Sequence, residues 1–130
     1  MSWMLLPFRR YAEFSGRSRR KEYWMFALFN VILYSILVSI GFWGASERLF
    51  SSEEELVLYF ACTLGLYGLI AFIPSLAVVV RRLHDTDRSG WAILFGLIPF
   101  VGGLILLYFY ISEGTRGPNR FGEDPKAGEA

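Results

Sequence analysis

The chain has 130 residues, 54% of them hydrophobic, and 13 Lys and Arg against 12 Asp and Glu give a net charge of +1. This length fits one domain. All charged residues fall outside residues 23–46, 56–80 and 91–112, and each of these stretches exceeds the ~20 apolar residues that span ~30 Å of hydrocarbon. The pattern excludes a water-soluble globule, and a single Cys excludes an intrachain disulfide scaffold.

The first 22 residues predict a basic segment that lies at the surface of the bilayer. Their apolar and aromatic side chains, interleaved with Arg9 and Arg10, are typical of an amphipathic interfacial segment and do not resemble a cleaved signal peptide. Six Lys and Arg precede the first span, three lie in loop 81–90, and one lies in loop 47–55. Because basic loops stay in the cytoplasm, the N-terminus and loop 81–90 are predicted to be cytoplasmic.

The first two apolar stretches predict two transmembrane helices. Span 23–46 has aromatic residues at both ends, as an interfacial belt requires, and Asn30 is its only amide. In span 56–80, a helix would place Ala61, Gly65 and Gly68 on one face, which predicts a helix-packing surface. Pro74 predicts a kink toward the cytoplasmic end.

The third stretch, residues 91–112, predicts a third transmembrane helix and carries an interruption. Pro99, Gly102 and Gly103 lie near its middle. A full crossing places the Gly- and Pro-rich tail, residues 113–130, outside the cytoplasm. The alternative is a broken, re-entrant segment that returns the tail to the cytoplasm, which membrane proteins allow where the freed backbone groups are buried against protein.

Two polar clusters flank the spans at the predicted cytoplasmic boundary. Segment 14–24 (FSGRSRRKEYW) holds four basic residues that are suited to anionic headgroups, or that act only as a topology signal. In segment 81–91 (RRLHDTDRSGW), His84, Asp85 and Asp87 have the chemistry of metal ligands, and the arginines that of phosphate ligands. The competing interpretation is a tight turn in which the acids neutralise neighbouring arginines and Asp87 or Ser89 caps the next helix.

These two segments, together with segment 114–125 (GTRGPNRFGEDP), resemble the bacterial membrane family named domain of unknown function 805. The resemblance covers nearly the whole chain and depends on the order and spacing of the three segments around the apolar spans. It implies an integral protein of the cytoplasmic (inner) membrane and no established activity. It also implies that Gly is common at the position of Asp87.

The sequence therefore predicts an all-α, polytopic membrane protein that binds anionic lipid headgroups or a protein partner without catalysis. Absence of Asp, Glu, Lys, Arg and His from the spans argues against a transporter. The alternatives are an enzyme acting on a lipid or phosphorylated substrate through His84 and Asp85, and a homo-oligomeric carrier or pore. No catalytic residue, metal, cofactor or nucleic acid is assigned. The residues assigned to lipid or partner binding are Arg17, Arg19, Arg20, Glu22, Arg81, Arg82, His84, Asp85 and Arg88.

Overall fold

The computed structural model describes residues 2–127, and every element in this part of the chain is a helix, so the predicted all-α class is confirmed there. An isolated bridge between Asn119 and Gly122 is the only strand-like pairing within residues 2–127. Met1 and residues 128–130, which belong to the predicted N-terminal segment and tail, lie outside the described residues. The elements are α1 (Ser2–Arg9), α2 (Arg20–Ser46), α3 (Glu53–Asp85), a 3-10 helix (Gly90–Leu97) and α4 (Gly102–Ile111).

Helices α2 and α3 are long and apolar enough to cross a bilayer, and they contain the predicted spans 23–46 and 56–80. Only 11% of the most apolar window of α2 and 6% of that of α3 are buried, whereas the core helix of a soluble protein is mostly buried. The Ser52 side chain caps α3 by accepting from the Glu55 backbone N–H, and three Glu residues in the first turn favour the helix dipole.

A continuous third helix over residues 91–112 is not formed. The 3-10 helix ends at Leu97, and α4 begins at Gly102 after a turn in which Phe100 has a φ of 67°. A Cβ on Gly102 would overlap the Phe95 carbonyl, so the close approach of these two parts of the backbone requires glycine. The segment folds back on itself into a hairpin, with the Phe95 and Phe109 rings 6.0 Å apart. The predicted interruption at Pro99, Gly102 and Gly103 is therefore where the chain reverses.

Helix α1 packs across the start of α2. The Phe8 ring meets those of Phe26 and Phe29 edge to face, at 5.4 and 6.0 Å. Pro7 is buried inside α1, and the hydroxyl of Tyr11, just after the helix, reaches the Ile70 carbonyl of α3 at 2.6 Å. Residues 2–11 thus form a short helix and turn docked on both long helices.

The close approach of α2 to α3 uses a glycine that sequence reasoning did not select. Gly41 is buried, and a Cβ there would overlap the rings of Tyr59 and Phe60. Of the predicted packing face, Gly68 is half-buried near Tyr34, while Ala61 and Gly65 are exposed. These two residues do not pack within the described chain, so the prediction of a packing surface there concerns a separate chain and stays a prediction.

Candidate functional site

The three polar segments meet at one end of the helix pair, where α2 begins and α3 ends; we call this the arginine end. Arg17 of the first segment bonds to Asp85 of the second and to the Thr115 carbonyl of the third. The Thr115 N–H donates to the Asp85 carbonyl at 2.7 Å. Residues separated by up to 105 positions in sequence therefore form one polar cluster.

Asp85 lies at the centre of this cluster and is fully buried. One carboxylate oxygen accepts from Nε of Arg17 at 3.0 Å and lies 2.9 Å from Nη2 of the same guanidinium. The other oxygen accepts from Nη1 of Arg82 at 2.5 Å. Gly114 lies against the carboxylate, and a Cβ there would overlap it. Both oxygens are therefore engaged by arginine, and the tail closes over them.

A second ion pair lies beside the first. Nη2 of Arg81 donates to Glu22 at 2.8 Å, and its Nε donates to the Ser18 hydroxyl at 2.9 Å. The Ser18 N–H returns a bond to the Arg81 carbonyl at 3.0 Å. The other Glu22 oxygen lies 3.4 Å from Arg10. Because Arg81, Ser18 and Glu22 are all buried, this pair fixes the entry of α2 against the end of α3.

Three buried arginines face two buried carboxylates, and backbone carbonyls compensate for the extra cation. Arg82 donates from Nε to the Tyr110 carbonyl at 3.1 Å and from Nη2 to the Ser112 carbonyl. Arg20 donates to the Ile111 carbonyl at 3.2 Å. The last carbonyls of a helix lack intrahelical partners and carry partial negative charge. Arg82 and Arg20 therefore cap the C-terminal end of α4 at the arginine end.

His84 is held by different contacts from its neighbour Asp85. Its Nδ1 lies 2.9 Å from the Gly16 carbonyl and, since a carbonyl only accepts, Nδ1 carries the proton. The imidazole stacks on the Phe121 ring at 4.1 Å with 2° between the planes. The Asn119 amide donates to the His84 carbonyl at 3.0 Å. His84 thus helps to bind the tail.

The remaining basic residues lie outside the buried cluster. Arg19 and Lys21 lie over the Trp3 ring, 5.1 and 5.2 Å from its centroid. Arg88 lies 4.0 Å from the Phe109 ring centroid, where it covers the hairpin. Cation–π contacts of this kind leave part of the guanidinium or ammonium hydration intact at exposed sites. The predicted binding residues therefore divide into a buried group and an outer group.

Two acids outside the buried cluster, Glu13 and Asp124, also accept hydrogen bonds. Hydrogen bonding from Arg10 lowers the pKa of Glu13, and the same bond raises the pKa of Arg10. Backbone N–H groups of Lys126 and Gly117 lower the pKa of Asp124, which shapes the tail.

Asp87 has a φ of 59°, a left-handed conformation, and pairs with Arg120 at 3.3 Å. This φ explains physically why Gly suits the position.

The geometry tests the chemistry that the sequence suggested for segment 81–91. A metal would need free carboxylate oxygens, yet those of Asp85 bond to Arg17 and Arg82. Within residues 2–127, no three His, Cys, Asp or Glu side chains are grouped to hold a metal ion. Asp85 is fully buried, whereas His84 is half-buried and stacks on Phe121 of the tail. The acids neutralise arginines, as the competing interpretation expects, and Arg17 comes from another segment.

Sequence reasoning missed Ser18, Tyr11 and Phe121. Ser18 is fully buried between Arg81 and Arg82, yet a serine beside basic residues gives no sign of burial. The contact of Tyr11 had a signal, because Pro74 lacks an N–H and so leaves the Ile70 carbonyl without its helical partner. Phe121 had none, since stacking on His84 depends on how the tail folds.

Several known proteins are similar to this chain in sequence. A model of the family described as "Protein of unknown function (DUF805)" matches residues 11–123. Inner membrane protein YhaI of Escherichia coli K12 is 48% identical over 98% of each chain. Inner membrane protein YhaH of the same strain is 44% identical over 97% of this chain and 98% of its own. Uncharacterized protein YiiR is 29% identical over 86% of this chain and 85% of its own. No solved structure matches.

Proposed function

The chain belongs to the DUF805 family, and from this membership we propose that it is a multi-pass protein of the bacterial inner membrane that binds anionic lipid headgroups at its cytoplasmic face. The names of its relatives YhaI and YhaH support the location. We assign it no catalytic step. The observation that carries the proposal is the division of charge at the arginine end.

The proposed topology has two crossings and one re-entrant hairpin. Helices α2 and α3 cross, and the basic arginine end lies in the cytoplasm, where basic loops remain. Both ends of the hairpin contact the arginine end. Val80 of α3 lies beside Gly90 at the start of the hairpin, and Arg82 of α3 donates to the Tyr110 carbonyl near the end of α4. With 10 residues, α4 is ~15 Å long, about half of the hydrocarbon thickness. The hairpin therefore dips into the cytoplasmic leaflet and returns.

The division of charge leaves an outer basic surface for headgroups. Glu22 and Asp85 are buried against arginines, so their negative charges neutralise cations inside the protein. Arg9, Arg20 and Lys21 are exposed on the same side. Each basic residue near an anionic surface contributes about 1 kcal/mol to attraction, and Trp3 beneath Lys21 suits headgroup depth. We therefore assign headgroup contact to this outer surface and a structural role to Arg17, Arg81 and Arg82.

Native mass spectrometry of the full chain, loaded with phosphatidylglycerol or phosphatidylcholine, tests the proposal. The wild type is expected to retain more phosphatidylglycerol, and the double variant R9Q/K21Q, which keeps Arg20 because it caps α4, is expected to lose that preference. R48Q, which removes a basic residue from the opposite end, is the matched control and is expected to keep it. Equal retention of both lipids by the wild type, or an unchanged preference in the double variant, would refute headgroup binding by this surface.

A further inference from the structure

A cavity of about 280 Å³ lies between α2 and α3, inside the apolar part of the helix pair. Its α2 wall is made by Tyr23, Phe26, Ala27 and Asn30, which share one helix face. Ser75 begins the α3 wall, which continues with two valines. The helices touch at Gly41 near the other end, so the space opens where they approach the arginine end.

The cavity wall carries hydrogen-bond donors that the protein does not use. Asn30 donates from Nδ2 to the Phe26 carbonyl at 2.8 Å, which fixes the amide orientation, and its Oδ1 accepts from Tyr67 at 2.7 Å. The second N–H of that amide remains. The hydroxyls of Tyr23 and Ser75 have no hydrogen-bond partner among residues 2–127. In hydrocarbon, donors without acceptors are costly, and α2 and α3 leave three of them around one space.

The depth of these donors limits what supplies the acceptors. Asn30 lies ~15 Å along α2 from Arg20, and Tyr23 lies about one helical turn from Arg20. With Arg20 at the membrane boundary, the donors extend from the interface to the middle of a ~30 Å hydrocarbon core. Phospholipid ester carbonyls stay in the interfacial region and do not reach Asn30. A molecule whose polar head enters hydrocarbon can supply an acceptor at this depth.

We propose that this cavity binds the ring head of a membrane-soluble quinone, whose carbonyl oxygens accept from Asn30, Ser75 and Tyr23. The flat ring packs against Phe26, and the apolar tail leaves between α2 and α3 into lipid. Only binding is proposed, with no electron transfer. The inference does not depend on headgroup binding, because the outer basic surface contributes no residue to the cavity.

Photoaffinity labelling of the full chain in phosphatidylcholine nanodiscs tests this assignment. An azidoquinone probe is expected to label peptides of α2 and α3, and excess decylubiquinone is expected to suppress the labelling while excess phosphatidylglycerol does not. The variant Y23F/S75A removes two hydroxyl oxygens and little volume, so it is expected to fold and to reduce labelling at least tenfold.

Two tryptophan variants separate the cavity from the rest of the lipid-facing surface. A27W fills the cavity and is expected to abolish labelling, whereas A61W, on an exposed face of α3, is expected to leave it unchanged. If A27W does not fold, Y23F/S75A decides alone. Wild-type labelling in Y23F/S75A, labelling spread over the whole chain, or suppression by phosphatidylglycerol would each overturn the proposal.

Discussion

Asp85 joins the three polar segments through its carboxylate and its backbone carbonyl. Its oxygens accept from Arg17 and Arg82, and its backbone carbonyl accepts from Thr115. A buried charge that loses its partner is destabilising, since the remaining charge has neither water nor a counterion. The strength of the cluster therefore depends on this carboxylate more than on any exposed ion pair.

The variant D85N is expected to destabilise the protein by about 3–5 kcal/mol, because it leaves two buried arginines without a carboxylate. Unfolding of the purified chain in mixed micelles, followed by circular dichroism, measures the change. D87N is the matched control: Asp87 is exposed, and surface changes stay within about 0.5 kcal/mol. Equal losses in the two variants would show that Asp85 does not stabilise the fold.

Gly114 provides a second test, at the point where the tail covers Asp85. The variant G114A is expected to lower the melting temperature, since the new methyl group overlaps the carboxylate. G103A is the control, because Gly103 lies in α4 with open space around it, and Ala there favours the helix by roughly 0.5–1 kcal/mol. Similar melting temperatures for G114A and G103A would contradict the close packing of the tail.

At the scale of elements, Pro74 of α3 and Tyr11 after α1 act on the same backbone carbonyl. Pro74 removes the helical hydrogen bond to the Ile70 carbonyl, and the Tyr11 hydroxyl supplies a replacement at 2.6 Å. The docking of the N-terminal region thus depends on a defect in α3.

A double-mutant cycle tests this coupling. Y11F is expected to destabilise the wild type by about 0.5–1.5 kcal/mol, the typical value of one hydrogen bond. In P74A the residue-74 N–H is restored and takes the Ile70 carbonyl, so Y11F is expected to have little further effect. Unfolding free energies of the two single variants and the double variant give the coupling. An equal loss in both backgrounds would show that the two residues act independently.

The sequence predicts the two long helices well and the helix ends less well. Uncharged runs identify 23–46 and 56–80, but α2 begins at Arg20 and α3 continues to Asp85. Charged residues end an apolar run without breaking backbone hydrogen bonds, so the runs measure the apolar part of each helix. The sequence of residues 91–112 allows two folds, because one Pro and two Gly permit either a kink or a reversal.

Contacts between distant residues at the arginine end could not be predicted from the sequence. Pairing of Arg82 with Asp85 follows from helical spacing, but the bond from Arg17 to Asp85 joins residues 68 apart. Lys and Arg are rarely fully buried unless paired, so basic residues beside a membrane helix are taken as exposed. Burial of Arg17, Arg81 and Arg82 depends on acceptors from three distant segments, and only the folded chain brings these together.

At the scale of the whole molecule, contact among the three segments requires all of them on one side of the membrane. Segments 14–24 and 81–91 carry seven basic residues, which favours the cytoplasm, and segment 114–125 bonds to both. A full crossing by residues 91–112 would carry the tail about 30 Å away and leave Arg17 and Arg82 without their carbonyl acceptors. The buried cluster therefore supports the re-entrant hairpin that we propose.

Reporter fusions test the proposed re-entrant hairpin. A fluorescent protein that matures only in the cytoplasm is expected to be bright at the C-terminus, and alkaline phosphatase at the same position is expected to be inactive. Phosphatase inserted in loop 47–52, at the opposite end, is expected to be active and serves as the control for two crossings. An active phosphatase at the C-terminus would mean that residues 91–112 cross completely, and the cluster around Asp85 could not then form in the membrane.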